Sequence, residues 1–150
     1  MIVYFDGGSR GNPGPSAGAC VIISDVKEIT VGKSVWLGRA TNNQAEYSGL
    51  SLAMRSLFLG DRLYDGTGLI IRGDSALVIN QMNGTWRIKN PVLRSLHSGV
   101  MEVLDAAAKT YRLNVQFEHI PRELNKMADG LVNARLDGHS LIERKICHNV

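Results

Sequence analysis

The opening run IVYFD, residues 2–6, places apolar or aromatic side chains on both faces of an extended segment and ends on a carboxylate followed by two glycines. A strand that is apolar on both sides has to be covered on both sides, which predicts a central strand of a layered α/β domain and not an edge. Residues 7–14 hold four glycines together with Asn12 and Pro13 and read as a turn-rich segment. Residues 17–24 and 29–37 read as two further strands in an antiparallel meander, so three strands precede the first helix.

The period then lengthens. Thr41 and Gln44 have capping-box spacing and open a helix near Asn42, with Ala45, Leu50, Ala53, Met54, Leu57 and Phe58 as its buried stripe. Residues 69–72 form a fourth strand that runs into Gly73 and Asp74, and a short helix follows over 75–82. Asn90 and Pro91 supply an N-cap and a proline at the first helical position, beginning a long helix with Leu93, Leu96, Val100, Val103 and Ala107 inward. A fifth strand, 113–119, alternates Leu113, Val115 and Phe117 with Asn114, Gln116 and Glu118. The last helix, 125–136, is expected to bury Leu124, Ala128, Leu131 and the stem of Arg135, leaving Asn125, Asp129 and Asn133 as a polar line four residues apart. The expected organisation is one domain over 1–137 and a C-terminal tail over 138–150, with a short helix near 141–146.

Four carboxylates stand apart in this pattern, each where an element begins or ends: Asp6, Glu46, Asp74 and Asp129. Taken singly, each is an ordinary solvated cap. Taken together, they match the need of two divalent cations roughly 3.5–4 Å apart, which several oxyanions from different elements must meet at one point. Asp74 is favoured as more than a helix cap, because open α/β sheets bind ligands at the carboxyl ends of their strands.

Composition narrows the setting. Lys and Arg number 17 against 14 Asp and Glu; with the four carboxylates set aside, the balance elsewhere is 17 to 10, or +7. An acidic point on a basic field suits a phosphate polymer. Cys20 and Cys147, far apart and without metal-ligand spacing, give no disulfide framework, and no apolar run reaches the roughly 18 residues of a membrane helix. A soluble, monomeric, cytoplasmic protein is expected, with no membrane partner.

In order, FDGGSRGNPGP, TNNQAEY, GDSALV and HIPRELNKMADGLVN closely resemble type 1 ribonuclease H of the ribonuclease H-like superfamily, in the short form of archaea, some bacteria and plants. The resemblance spans about residues 1–136. It implies a five-stranded mixed sheet, three antiparallel strands and then parallel ones, flanked by helices. It also implies an endoribonuclease that cuts the RNA strand of RNA/DNA hybrids with two Mg²⁺ ions, Mn²⁺ being able to substitute, and leaves 5′-phosphate and 3′-hydroxyl ends. The family's metal-site acids match Asp6, Glu46, Asp74 and Asp129. His119 resembles the family's mobile histidine, which serves proton transfer or product departure.

For the substrate, Asn12, Asn43 and Gln44 match positions that read 2′-hydroxyls in the shallow minor groove. Arg39 and Thr41 resemble a pocket for a DNA-strand phosphate at a helix N-terminus, and Trp86 a channel aromatic. Asn12 as a turn residue, Asn43 as a cap and Trp86 as core are the plainer alternatives. Two departures from longer relatives are expected: NGTWRIKN replaces a basic protrusion, and no separate hybrid-binding domain precedes the nuclease. A non-catalytic binding module and a nuclease of transposase, integrase, resolvase or retroelement type are the competing readings; the four intact acids oppose the first, the DGG and NNQAE segments the transposase, integrase and resolvase types, and the absence of flanking polymerase sequence the retroelement type.

Overall fold

The computed structural model describes residues 1–24, 29–60 and 63–148, with side chains described outside residue 29 and up to residue 139. The run at residues 2–6 is the middle strand of the sheet, as its two apolar faces require. β1 (Ile2–Ser9), β2 (Gly14–Ser24) and β3 (Ile29–Ala40) form the antiparallel meander, while β4 (Gly68–Gly73) and β5 (Asn114–His119) are parallel to β1, giving the order β3-β2-β1-β4-β5. The helices are α1 (Asn42–Leu59), α2 (Ala76–Met82), α3 (Pro91–Tyr111) and α4 (Lys126–His148), with a 3₁₀ turn at Arg122–Leu124 before the last.

Alternation along the strands divides the core between two layers. Val3, Phe5, Cys20, Ile22, Leu69 and Ile71 face α1, α2 and α3 and pack with Tyr47, Leu50, Val78 and Val100. On the opposite face, Ala17 and Ala19 meet Val132 and Leu136 of α4, with Trp36 and Leu131 at the rim. Small alanines on β2 let the helix sit low, near the end of β1 that carries Asp6.

Several expectations shift. β1 continues three residues past Asp6, because Gly7, Gly8 and Ser9 still pair with Gly18, Ala17 and Ser16. Phe58 is 40% exposed, at the end of the α1 stripe. Leu124 is 66% exposed and Asn125 is 1% exposed, the reverse of the expected pattern. The reason is that 122–124 is a 3₁₀ turn and Asn125, at φ −114° and ψ 27°, lies outside the helix, so neither follows its phase. α4 also runs unbroken to His148 where a tail was expected; Gly138 weakens a helix by roughly 1 kcal/mol but does not stop it as proline does. The side chains of Arg144, Lys145, Cys147 and His148 lie outside the described residues.

Candidate active site

Close backbone approach, not side-chain reach, brings the first two acids together. α1 crosses β1 where both elements carry glycine: a Cβ on Gly7 would lie 2.0 Å from the Ala45 carbonyl carbon, and one on Gly49 would lie 2.2 Å from the Asp6 carbonyl oxygen. Gly18 on β2 meets Gly49 in the same way, at 2.7 Å from its nitrogen. With no side chain between them, helix and strand bring Glu46 over Asp6. The start of α1 is fixed by the expected capping box: Thr41 Oγ1 accepts from the Gln44 amide at 3.2 Å and Gln44 Oε1 accepts from the Thr41 amide at 3.0 Å.

Asp74 follows β4 directly and completes a triad in which one carboxylate oxygen from each of Asp6, Glu46 and Asp74 lies within 4.8 Å of the others. Asp129, in the first turn of α4, borders the same open cleft of about 520 Å³ without joining that cluster. Its side chain is 35% exposed and 3.8 Å from the Arg122 guanidinium.

The electrostatics of the triad are those of an incomplete site. Burial, and then the charges of Asp74 and Asp129, push the Asp6 carboxyl up from 3.8 to about 7. Burial, and then Asp6 and Asp74, raise Glu46 well above the usual carboxylate range. Glu46 Oε2 is buried and has no hydrogen-bond partner among the described residues. Crowded carboxylates with an orphaned buried oxygen lack positive charge, and a hard divalent cation with oxygen preference supplies it. The donor set therefore fits a metal.

The other predicted residues are distributed as follows. His119 ends β5, and its Nε2–H donates to the Asp74 backbone carbonyl at 3.2 Å, next to the triad. Asn12 Oδ1 accepts from the Asn42 amide at 3.1 Å, and Asn42 Oδ1 accepts from the Ser9 amide at 2.9 Å, so the glycine-rich segment is tied to the start of α1. Asn43 and Arg39 are exposed. Gln44 and Thr41 are engaged with each other in the cap. Trp86 is 50% exposed in the α2–α3 connection, which removes its core alternative. None of Asn12, Arg39, Thr41, Asn43, Gln44, Trp86 and His119 lines the cleft itself. Its polar lining beyond the four acids includes Asn133, expected on the polar line of Asp129, and Arg10, Asn42 and Arg122, which the sequence reading did not single out for the site. Arg10 also pairs with Asp137 of α4 at 2.6 Å. The signal for Asn42 was its place beside Asn43 at a helix start, where either asparagine fits.

A family model described as reverse transcriptase-like matches residues 4–135. The ribonuclease HI of Halobacterium salinarum is 40% identical over 134 residues, covering 89% of this chain and 63% of that protein. The crystal structure of RNase H1 from the same halophilic archaeon superposes with a TM-score of 0.79 at 39% identity, over 91% of this chain and 97% of that one. The chain belongs to the type 1 ribonuclease H family. A second solved structure, LC11-RNase H1 in complex with RNA/DNA hybrid, gives a TM-score of 0.82 at 36% identity, over 92% of this chain and 97% of its own. The chain spans less than two thirds of the length of the first curated relatives it matches. The expected five-stranded ribonuclease H sheet is thus the observed one. No described helix is long and apolar enough to cross a membrane.

Proposed function

We propose that the protein is an endoribonuclease that hydrolyses the RNA strand of RNA/DNA hybrids, leaving 5′-phosphate and 3′-hydroxyl ends. The observation that carries this reading is the convergence of Asp6, Glu46 and Asp74 within 4.8 Å, one oxygen of Glu46 being buried and without a partner among the described residues, in a chain of this family. That a relative of 36% identity is solved with a hybrid supports the substrate. Asp6, Glu46, Asp74 and Asp129 would together hold a pair of Mg²⁺ ions. The ions would supply Lewis acidity toward the scissile phosphate and the attacking water, and Mn²⁺ could take their place.

The chain's own residues do the remainder. His119, held at the Asp74 carbonyl, is placed to move a proton at the edge of the cluster. Asn42 and the segment bound to it through Asn12 and Ser9 form the wall of the cleft nearest the α1 N-terminus, where short polar groups can read 2′-hydroxyls. Asn43 and Gln44 stand beside them, while Arg39 and Thr41, at the same helix start, suit a DNA-strand phosphate. Exposed Trp86 suits stacking on the DNA strand's sugars. Every acid of the site comes from one chain, which supports action as a monomer.

The deciding experiment is a cleavage panel: one RNA sequence offered as hybrid, as duplex RNA and as single strand, with Mg²⁺ and with Mn²⁺. Cutting of the hybrid alone, abolished in Asp74→Asn by about 10³-fold or more, is expected, since each 1.36 kcal/mol lost from the transition state is tenfold in rate and a metal contributes several. A parent protein that binds hybrid without cleaving it under either metal would leave the non-catalytic module standing.

A further inference from the structure

We propose that Asn125 is a positioning residue for the metal site: its buried carboxamide pins the first turn of α4 to the strand carbonyl beside Asp6 and so places Asp129 against the triad. The inference rests on the nuclease reading given above.

Asn125 is 1% exposed, while its neighbours Arg122, Glu123, Leu124, Lys126 and Met127 are all exposed. An asparagine alone reaches inward from this stretch. Its Nδ2 donates to the Phe5 carbonyl at 2.9 Å, across 120 residues of sequence. Phe5 immediately precedes Asp6, and the recorded parallel pairing of β1 with β4 ends at Tyr4 and Arg72, one residue earlier. The amide therefore meets β1 just beyond its ladder with β4.

The backbone of the same residue continues the link. The Asn125 carbonyl accepts from the Asp129 amide at 3.1 Å, closing the first turn of α4. One residue thus joins the peptide before Asp6 to the peptide of Asp129. Two further polar ties of α4 to the sheet region, Arg135 to Ser34 and Arg10 to Asp137, lie one turn or more beyond Asp129. Ala128 packs close by with no exposure, but a methyl group packs without fixing direction.

Asn125 Oδ1 is buried and has no hydrogen-bond partner among the described residues, so the amide is held through its nitrogen alone. What the amide provides is a directed bond at the point where the fourth acid must be aimed. Groups that orient metal ligands from behind typically change metal affinity or activity by about 10- to 100-fold when removed.

The test compares Asn125→Ser, Asn125→Ala and Asn125→Leu with the parent and with Val100→Ala, a core variant on α3, which contributes nothing to the cleft. Each is read well below its own unfolding midpoint, by kcat and KM on hybrid and by Mn²⁺ calorimetry without substrate. A positioning role predicts an about 10-fold or greater fall in kcat and a comparable weakening of Mn²⁺ binding, with KM little changed, in the Asn125 variants and not in Val100→Ala. Parental kcat and Mn²⁺ affinity in Asn125→Ala overturn the proposal, as do losses matched by Val100→Ala or failure of all three Asn125 variants to fold, which would make the residue one of stability only. A parent that does not cleave hybrid overturns the nuclease reading instead, and the calorimetry still reports on Asn125.

Discussion

Asp6 and Glu46 are held in a place that disfavours their charge, and this makes stability depend on pH. The Asp6 carboxyl titrates near 7 when folded and near 3.8 when unfolded, for reasons of burial first and of Asp74 and Asp129 second. Between those values the folded protein keeps a proton that the unfolded chain releases, so the stability this group withholds is nil below 3.8, grows through the interval and is complete above about 7. In metal-free protein, Asp6→Asn should therefore leave the melting temperature nearly unchanged at about pH 4 and raise it most above about pH 7, whereas a gain of equal size at every pH would show that relief of crowding is not its origin. Mg²⁺ should narrow the gap, because it stabilises the parent by binding the folded state alone. His119 sits one step away, at the Asp74 carbonyl and not in the triad. Its removal as His119→Ala should lower kcat by about 10²-fold or less with KM little changed, and an unaltered kcat from about pH 6 to 9 would return it to a strand-end role.

Among the elements, β1 and α1 show how far sequence reading reaches. The central strand, the meander and the capping box were legible because each has a periodic or positional signature in its side chains. Gly7, Gly8 and Ser9 were not legible as strand, since glycine displays no alternation, yet glycine is what the fold needs where α1 comes within contact of the β1 backbone. Asn125 was hidden for a different reason: it falls at the right interval from Asp129 and Asn133 to look like one of a solvated line, and only the 3₁₀ turn before it directs it inward. The four acids were legible as a constellation, but not the division in which Asp6, Glu46 and Asp74 lie within 4.8 Å while Asp129 borders the same cleft outside that cluster. The glycine contact carries its own prediction. A methyl at position 49 would lie 2.2 Å from the Asp6 carbonyl oxygen, which is backbone and cannot swing aside. Gly49→Ala should therefore cost at least the ~1–3 kcal/mol usual for overpacking, visible as a lower denaturant midpoint, and should weaken Mn²⁺ binding by parting Glu46 from Asp6. A variant of parental stability would mean that α1 and β1 can separate freely.

For the whole molecule, the proposed hybrid substrate raises the question of how a polyanion is held without an inserted basic helix. The α2–α3 connection is short and its Trp86, Arg87 and Lys89 are exposed, with no inserted basic helix between Met82 and Pro91. Arg39, exposed near the end of β3, is the cation placed closest in sequence to the α1 N-terminus, where helix amides favour phosphate. Each neutralised phosphate contributes ~0.9 to the slope of log affinity against log salt, so a grip of about three to five contacts gives a shallow dependence. Arg39→Ala should lower the slope by about one and weaken hybrid binding, yet leave Mn²⁺ binding and the preference for RNA over DNA intact, since the groups proposed to read the 2′-hydroxyl are others. Titrations of the inactive Asp74→Asn form at several salt concentrations measure this directly. A slope near ten, or one indifferent to Arg39, would move the grip to another surface, and Arg144 and Lys145 beyond the described side chains would be the first positions to substitute.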